Sequence, residues 1–93
     1  MWIPNAFTPD NNGNNDTFKP VTQRTTLEPY VFLVFDRWGQ IIFKTTNPVV
    51  GWDGKYNGEP CQAGSYTYLL QYREGKIESS GIVTKRGMVS LIR

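Results

Sequence analysis

The sequence contains no histidine, a single cysteine at position 61, and no apolar run long enough to span a membrane. Without histidine, a Ser-His-Asp or Cys-His catalytic arrangement and an imidazole metal site are excluded. One cysteine cannot form an internal disulfide, which excludes the small secreted domains that disulfides stabilise. We therefore expect neither an enzyme nor a bound cofactor.

Charged side chains are balanced, with ten Lys and Arg against eight Asp and Glu and a net charge of +2. Nucleic-acid-binding domains carry a clustered basic surface, so nucleic acid is not an expected partner. The first residues lack the charged and apolar regions of a signal peptide, and no membrane insertion is expected. If the domain acts outside the cytoplasm, we expect the chain to be part of a longer secreted protein, with Met1 added as a start residue.

The chain does have 93 residues, thirteen of them aromatic, which suffices for one core and a single domain over residues 1–93. Short β-branched and aromatic runs alternate with Gly, Pro, Asn and Asp, and no window shows the apolar period of a helix. This pattern predicts an all-β fold. The number and spacing of the runs favour an antiparallel immunoglobulin-like β-sandwich of six to seven short strands.

Turn residues set the limits of the predicted strands. The unbroken apolar run at 30–35 predicts a central strand, followed by a tight turn in which Gly39 takes a positive φ. A second turn is predicted at Arg86-Gly87, and an ordered connection at 47–64 carries three turn signals, two of them Asp53-Gly54 and Asn57-Gly58. The predicted strands cover residues 2–7, 18–22, 30–35, 40–45, 65–72, 76–85 and 88–92.

Isolated aromatic residues allow two interpretations. Trp38 follows Arg37 in the first turn, where the pair could be an exposed contact for a receptor. The alternative, which we favour for Trp38 and also for Trp52 and Tyr56, is burial against the end of the sandwich. Tyrosines at 66, 68 and 72 alternate along one strand, which predicts a packed sheet face rather than a sugar-binding platform.

The loop from Asp10 to Asp16 places oxygen-bearing side chains at every second residue, as the first part of a calcium loop does. These side chains are Asp10, Asn12, Asn14 and Asp16. A helix-loop-helix calcium site is excluded because Val21 stands where the bidentate acid is required. The loop is therefore either a loose calcium site or, as we favour, a turn held by side-chain to backbone hydrogen bonds.

The last predicted strand offers a second contact surface. An edge strand can present unpaired backbone groups to a partner sheet, with Val89 and Leu91 in the strand and the Arg93 side chain as a charged contact. The alternative is that this strand only completes the sandwich.

Seven segments, in order along nearly the whole chain, resemble the gliding motility-associated C-terminal domain, the type B sorting domain of the type IX secretion system of Bacteroidota. The segments read IPNAFTP at 3–9, DNNGNNDTF at 10–18, FDRWGQ at 35–40, GWDG at 51–54, NG at 57–58, AGSYTY at 63–68 and GMVSLIR at 87–93. Each segment alone is weakly specific, whereas the ordered set is strongly so.

The resemblance implies a sorting signal rather than a catalyst. Such a domain directs the cargo that precedes it in the same chain through the periplasm and the type IX translocon to the cell surface or the medium. Type B members are also expected to depend on a PorP/SprF-type outer-membrane partner. The alternative function is a structural immunoglobulin-like module of a surface adhesin that binds calcium or glycan.

Overall fold

The computed structural model describes residues 2–9, 17–21, 29–73 and 82–92, which contain strands and turns but no helix. No helix in these ranges could therefore cross a membrane. The strands are β1 (Ala6–Phe7), β2 (Tyr30–Phe35), β3 (Ile41–Thr45), β4 (Lys55–Tyr56), β5 (Glu59–Pro60), β6 (Gly64–Tyr72) and β7 (Val83–Leu91).

Five strands form one sheet in the order β1-β7-β6-β2-β3, and β4 and β5 form a separate two-stranded ribbon. Every neighbouring pair is antiparallel except β1 and β7, which run parallel. The described strands confirm the all-β, sandwich-like prediction, while the finer immunoglobulin-like assignment stays an expectation. The long connection at 47–64 contains the ribbon, whose turn has positive φ at both Asn57 and Gly58, as a two-residue hairpin requires.

The predicted turn at Arg86-Gly87 is wrong, because both residues lie inside the continuous strand β7. Gly87 pairs with Tyr68 of β6, and the Tyr68 ring lies over the space that a side chain at Gly87 would fill. A β-carbon there would come within 2.6 Å of the Tyr68 hydroxyl oxygen. Gly87 therefore leaves space for the Tyr68 ring in the middle of the strand. Glycine is common in turns, so the local sequence predicts a turn here instead of this packing role.

The two predicted strands near the N-terminus are shorter than expected. Only Ala6–Phe7 is a strand in the first, and the described part of the second contributes single bridges, from Phe18 to Trp52 and from Val21 to Trp2. The Phe18 bridge has two backbone hydrogen bonds, of 2.8 and 2.9 Å. It ties the N-terminal segment to the long connection, and these two segments cover one face of the sheet.

Aromatic side chains form the core between that cover and the sheet. The Phe18 ring stands 5.4 Å from the ring of Phe32, and the Trp52 indole stands 5.3 Å from Phe7 and 5.0 Å from Tyr66 in edge contact. The buried apolar side chains of the described residues are Phe7, Phe18, Tyr30, Phe32, Val34, Ile42, Trp52, Leu70, Tyr72, Val89 and Leu91.

The tyrosine face of β6 packs on this core, as predicted. Tyr72 is buried, and Tyr66 and Tyr68 are half-buried against the core, with the Tyr66 hydroxyl donating to the carbonyl oxygen of Gln62. Tyr30 lies opposite Tyr72, and burial raises its pKa to about 12 because the ionised phenolate loses hydration. Its hydroxyl group therefore stays mostly protonated at about pH 10, where a tyrosine with an unshifted pKa is half ionised.

Candidate recognition surface

The turn between β2 and β3, residues 36–40, is the hairpin tip, and a single carboxylate organises it. The Asp36 Oδ1 atom accepts hydrogen bonds from the backbone N–H groups of Trp38 and Gln40, both at 2.9 Å. The N–H of Gly39 donates to the Asp36 carbonyl at 3.1 Å, and Gly39 has the predicted positive φ, at 79°. The turn is thus held by hydrogen bonds from within, as aspartate at the first turn position permits.

Trp38 projects from this tip with 84% of its surface exposed. The favoured prediction, burial of Trp38 over the sandwich end, is therefore wrong, and the alternative of an exposed aromatic residue is the one that the structure supports. The adjacent Arg37 is exposed as well. Two turn residues at the far end of a hairpin have few neighbours to cover them, so the tip presents a large aromatic surface beside a cation.

A cleft of about 360 Å³ lies between the tip, the ribbon and the start of β6; we call it the tip cleft. The Tyr56 hydroxyl accepts a 3.0 Å hydrogen bond from Gln40 Nε2 and so links the ribbon to the tip. Tyr56 is exposed at 37%, contrary to its predicted burial, whereas Trp52 is fully buried as predicted. The lining residues are Asp36, Arg37, Trp38, Ile42, Tyr56, Cys61, Gln62, Ala63, Gly64, Ser65 and Tyr66.

Sequence reasoning missed most of the tip cleft. Ile42 enters it because a register shift in the pairing of β2 with β3 leaves both Ile42 and Phe43 packed toward the core. Gln62 and Ser65 reach it because β6 begins beside the ribbon. The local sequence around Ile42, Gln62 and Ser65 does not predict that they line a cleft, because the cleft forms where segments that are distant in the chain pack together.

The other predicted contact residues lie elsewhere. The side chains of Val89 and Leu91 are buried at 1% and 2% exposure, and Arg93 lies outside the described residues. The backbone of this segment is also engaged, because the N–H groups of Ser90 and Ile92 donate to the carbonyls of Asn5 and Phe7. The structure therefore does not bring Val89 and Leu91 together with Arg37 and Trp38.

The predicted calcium loop, Asp10, Asn12, Asn14 and Asp16, also lies outside the described residues. Within the described ranges, no group of three or more acidic or cysteine side chains is placed to hold a metal ion. We expect equal melting temperatures in millimolar calcium and in EDTA, as a turn held by its own hydrogen bonds would give. A higher melting temperature in calcium would contradict this expectation, because a cation that binds only the folded chain stabilises it.

The described part of the chain is thus an all-β domain with an exposed aromatic tip beside a cleft. The family model of the CHU_C type IX secretion signal domain matches residues 1–89, and the chain belongs to this family. No curated protein matches the chain at a significant level.

Membership of the family establishes what the domain does. The chain is a sorting signal for the type IX secretion system, and it marks the protein that carries it for export across the outer membrane, to the cell surface or the medium. The family is not a family of enzymes. The match gives no support to the alternative of an adhesin module.

Proposed function

We propose that the secretion machinery recognises this sorting signal through the hairpin tip and the tip cleft. The observation that carries the proposal is the 84% exposure of Trp38 on a turn that Asp36 holds rigid with two hydrogen bonds. Tryptophan and arginine are the residues most often found at the energetic centre of protein interfaces. A preorganised tip also loses little conformational entropy when a partner binds it.

The adjacent cleft supports the same proposal. It offers a concave surface next to a convex one, with half-buried or exposed rings at Tyr56 and Tyr66 and polar groups at Gln62 and Ser65. A partner that inserts a side chain into the cleft would cover Trp38 at the same time. We propose that this partner is the type IX translocon, reached from the periplasm, and that a PorP/SprF-type outer-membrane protein receives the domain afterwards.

The experiment compares two exposed tryptophans in a reporter fused in front of the domain. Trp38→Ala should reduce the reporter in the medium by at least about tenfold, since loss of a contact at the centre of an interface costs about 2 kcal/mol or more. The matched control is Trp2→Ala. Trp2 is 65% exposed, but its backbone pairs with Val21 and its side chain is not part of the lining of the tip cleft. Both variants should keep their stability within about 0.5 kcal/mol.

Normal export of the Trp38→Ala variant would contradict the proposal, as would equal losses from both variants. Arg37→Glu provides a second test of the tip, because it reverses an exposed charge without touching the core. Thermal melts of the purified domains distinguish failed recognition from failed folding. If export fails while the melt is unchanged, the tip is recognised as proposed.

A further inference from the structure

We propose that the open edge of β7, the side of residues 83–88 that faces away from β6, binds an extended acidic segment of a partner protein as an added strand. This surface is separate from the hairpin tip, which lies between the opposite pair of strands, β2 and β3. The inference goes beyond the export function, because it concerns a second contact of the folded domain.

The backbone geometry identifies which groups are available. Ser90 and Ile92 direct their N–H groups toward β1, with hydrogen bonds of 2.9 and 3.0 Å to Asn5 and Phe7. Alternate residues of a strand direct their backbone groups to opposite edges. Thr84, Arg86 and Met88 therefore direct theirs to the same side as β1, whereas β6 pairs with the other side of the strand.

Among the described strands, none continues the pairing along that side. β1 is two residues long and matches only Ser90 and Leu91 of β7, so it leaves residues 83–89 without a described neighbour there, and these include the six residues of the proposed edge, 83–88. Six residues span about 20 Å, the length of an ordinary strand. The side chains of Thr84, Arg86 and Met88 are exposed, Met88 at 63%, which leaves the approach to these groups open within the described structure.

The charged side chains of β7 indicate which kind of segment can bind beside it. β7 carries Lys85 and Arg86, and β1, β6 and β7 contain no acidic residue. The two cations are adjacent in sequence, so they stand on opposite faces of the sheet and flank the edge on both sides. An added strand also alternates its side chains between the two faces, and acidic residues at neighbouring positions would each meet a cation.

A second copy of this chain does not fit the same edge. Antiparallel pairing of two β7 strands centred on Arg86 would place the two Arg86 side chains directly opposite each other, and like charges opposite each other are destabilising. Cations on an edge are a known protection against such self-pairing. The same charges that oppose a copy of this chain favour an acidic strand.

The test measures amide hydrogen exchange and chemical shifts in the isotope-labelled chain with two capped heptapeptide probes, acidic TVEDEVT and basic TVKKKVT, whose charges occupy neighbouring positions and so both faces of an added strand. At millimolar acidic peptide, the N–H groups of Thr84, Arg86 and Met88 should exchange at least about tenfold more slowly, because they become hydrogen-bonded. Those of Lys85 and Gly87, already paired with β6, should not change. The basic peptide should bind at least about tenfold more weakly.

Two variants locate the effect. Met88→Pro removes one outward N–H and leaves the bonds to β6 in place, so it should weaken the acidic peptide while the fold persists. Arg86→Glu should reverse the preference between the peptides. Its matched control is Lys44→Glu, the same change of charge at an exposed position on β3, the other edge of the sheet, which should leave both affinities unchanged.

Three results would overturn the proposal. The first is slow hydrogen exchange of the Thr84, Arg86 and Met88 amides in the absence of peptide. Whether the slow exchange is constant or increases with protein concentration, it would mean that the chain itself covers the edge. The second is equal binding of the two peptides, or no shift with the acidic peptide. The third is an Arg86→Glu variant that binds the two peptides with the same affinities as the unaltered chain. This variant tests the edge even if Met88→Pro does not fold.

Discussion

Trp52→Ala should destabilise the domain by about 3–5 kcal/mol and reduce export of a fused reporter. The Trp52 side chain is fully buried, its ring contacts Phe7 and Tyr66, and its Nε1 atom donates to the Lys55 carbonyl at 3.0 Å. Truncation of a buried tryptophan to alanine costs about 3–5 kcal/mol. A domain of this size has a free energy of unfolding of about 5–14 kcal/mol, so about a fifth to all of its stability would be lost.

The matched control for Trp52→Ala is Trp38→Ala, the same replacement at an exposed position. The first variant should show a much lower melting temperature together with reduced export, whereas the second should keep its melting temperature and lose its export. A Trp52→Ala domain that melted near the temperature of the unaltered chain would contradict the assignment of Trp52 to the core. The melting temperature of Trp52→Phe should lie between those of Trp52→Ala and Trp38→Ala, because phenylalanine restores a buried ring but not the hydrogen bond to Lys55.

Deletion of residues 89–93 should also abolish both folding and export. It removes the buried side chains of Val89 and Leu91 and the residues that pair with β1. Each large-to-small change at such a site costs about 2–5 kcal/mol, and the strand pairing is lost in addition. Circular dichroism of the purified domain and the amount of reporter in the medium measure the two effects separately.

Deletion of Arg93 alone serves as the control, because it leaves both buried side chains and the Ile92 hydrogen bond to Phe7 in place. We expect this shorter deletion to melt close to the full chain. A folded 89–93 deletion that still exports its reporter would show that the last strand is needed neither for the core nor for recognition. Because this strand is part of the core, loss of export from the longer deletion does not identify a recognition surface, and the tip and edge variants are needed for that.

Local patterns predicted a substantial part of the fold correctly. The apolar run at 30–35 became β2 with the same limits, and the alternation after Ser65 became β6 with its tyrosines toward the core. The tip turn formed where Asp36 and Gly39 predicted it. These features depend on neighbours within a few residues, so the chemistry that determines them is visible in the sequence.

Predictions that depended on distant contacts were less reliable. Trp38 and Trp52 both lie next to turn residues, yet Trp38 is exposed and Trp52 is buried. The backbone of Trp52 pairs with Phe18, and its ring packs against Phe7 and Tyr66. Arg86-Gly87 has the composition of a turn but lies in a strand, since the Tyr68 ring packs over Gly87. The parallel pairing of β1 with β7 joins residues from the two ends of the described chain, and no local pattern predicts it.

The class of the protein follows from local sequence patterns: they predict an all-β fold, and an ordered set of motifs identifies the family of sorting signals. The alternation of apolar and polar residues and the choice of turn residues depend on near neighbours in the chain, and the family motifs can be recognised without knowledge of the fold. Which surfaces are accessible depends on the tertiary structure. Burial of Val89 and Leu91, exposure of Trp38 and the lack of a described neighbour beside Thr84, Arg86 and Met88 all follow from which of the described segments cover which parts of the sheet. That covering depends on contacts between distant parts of the chain rather than on any single segment.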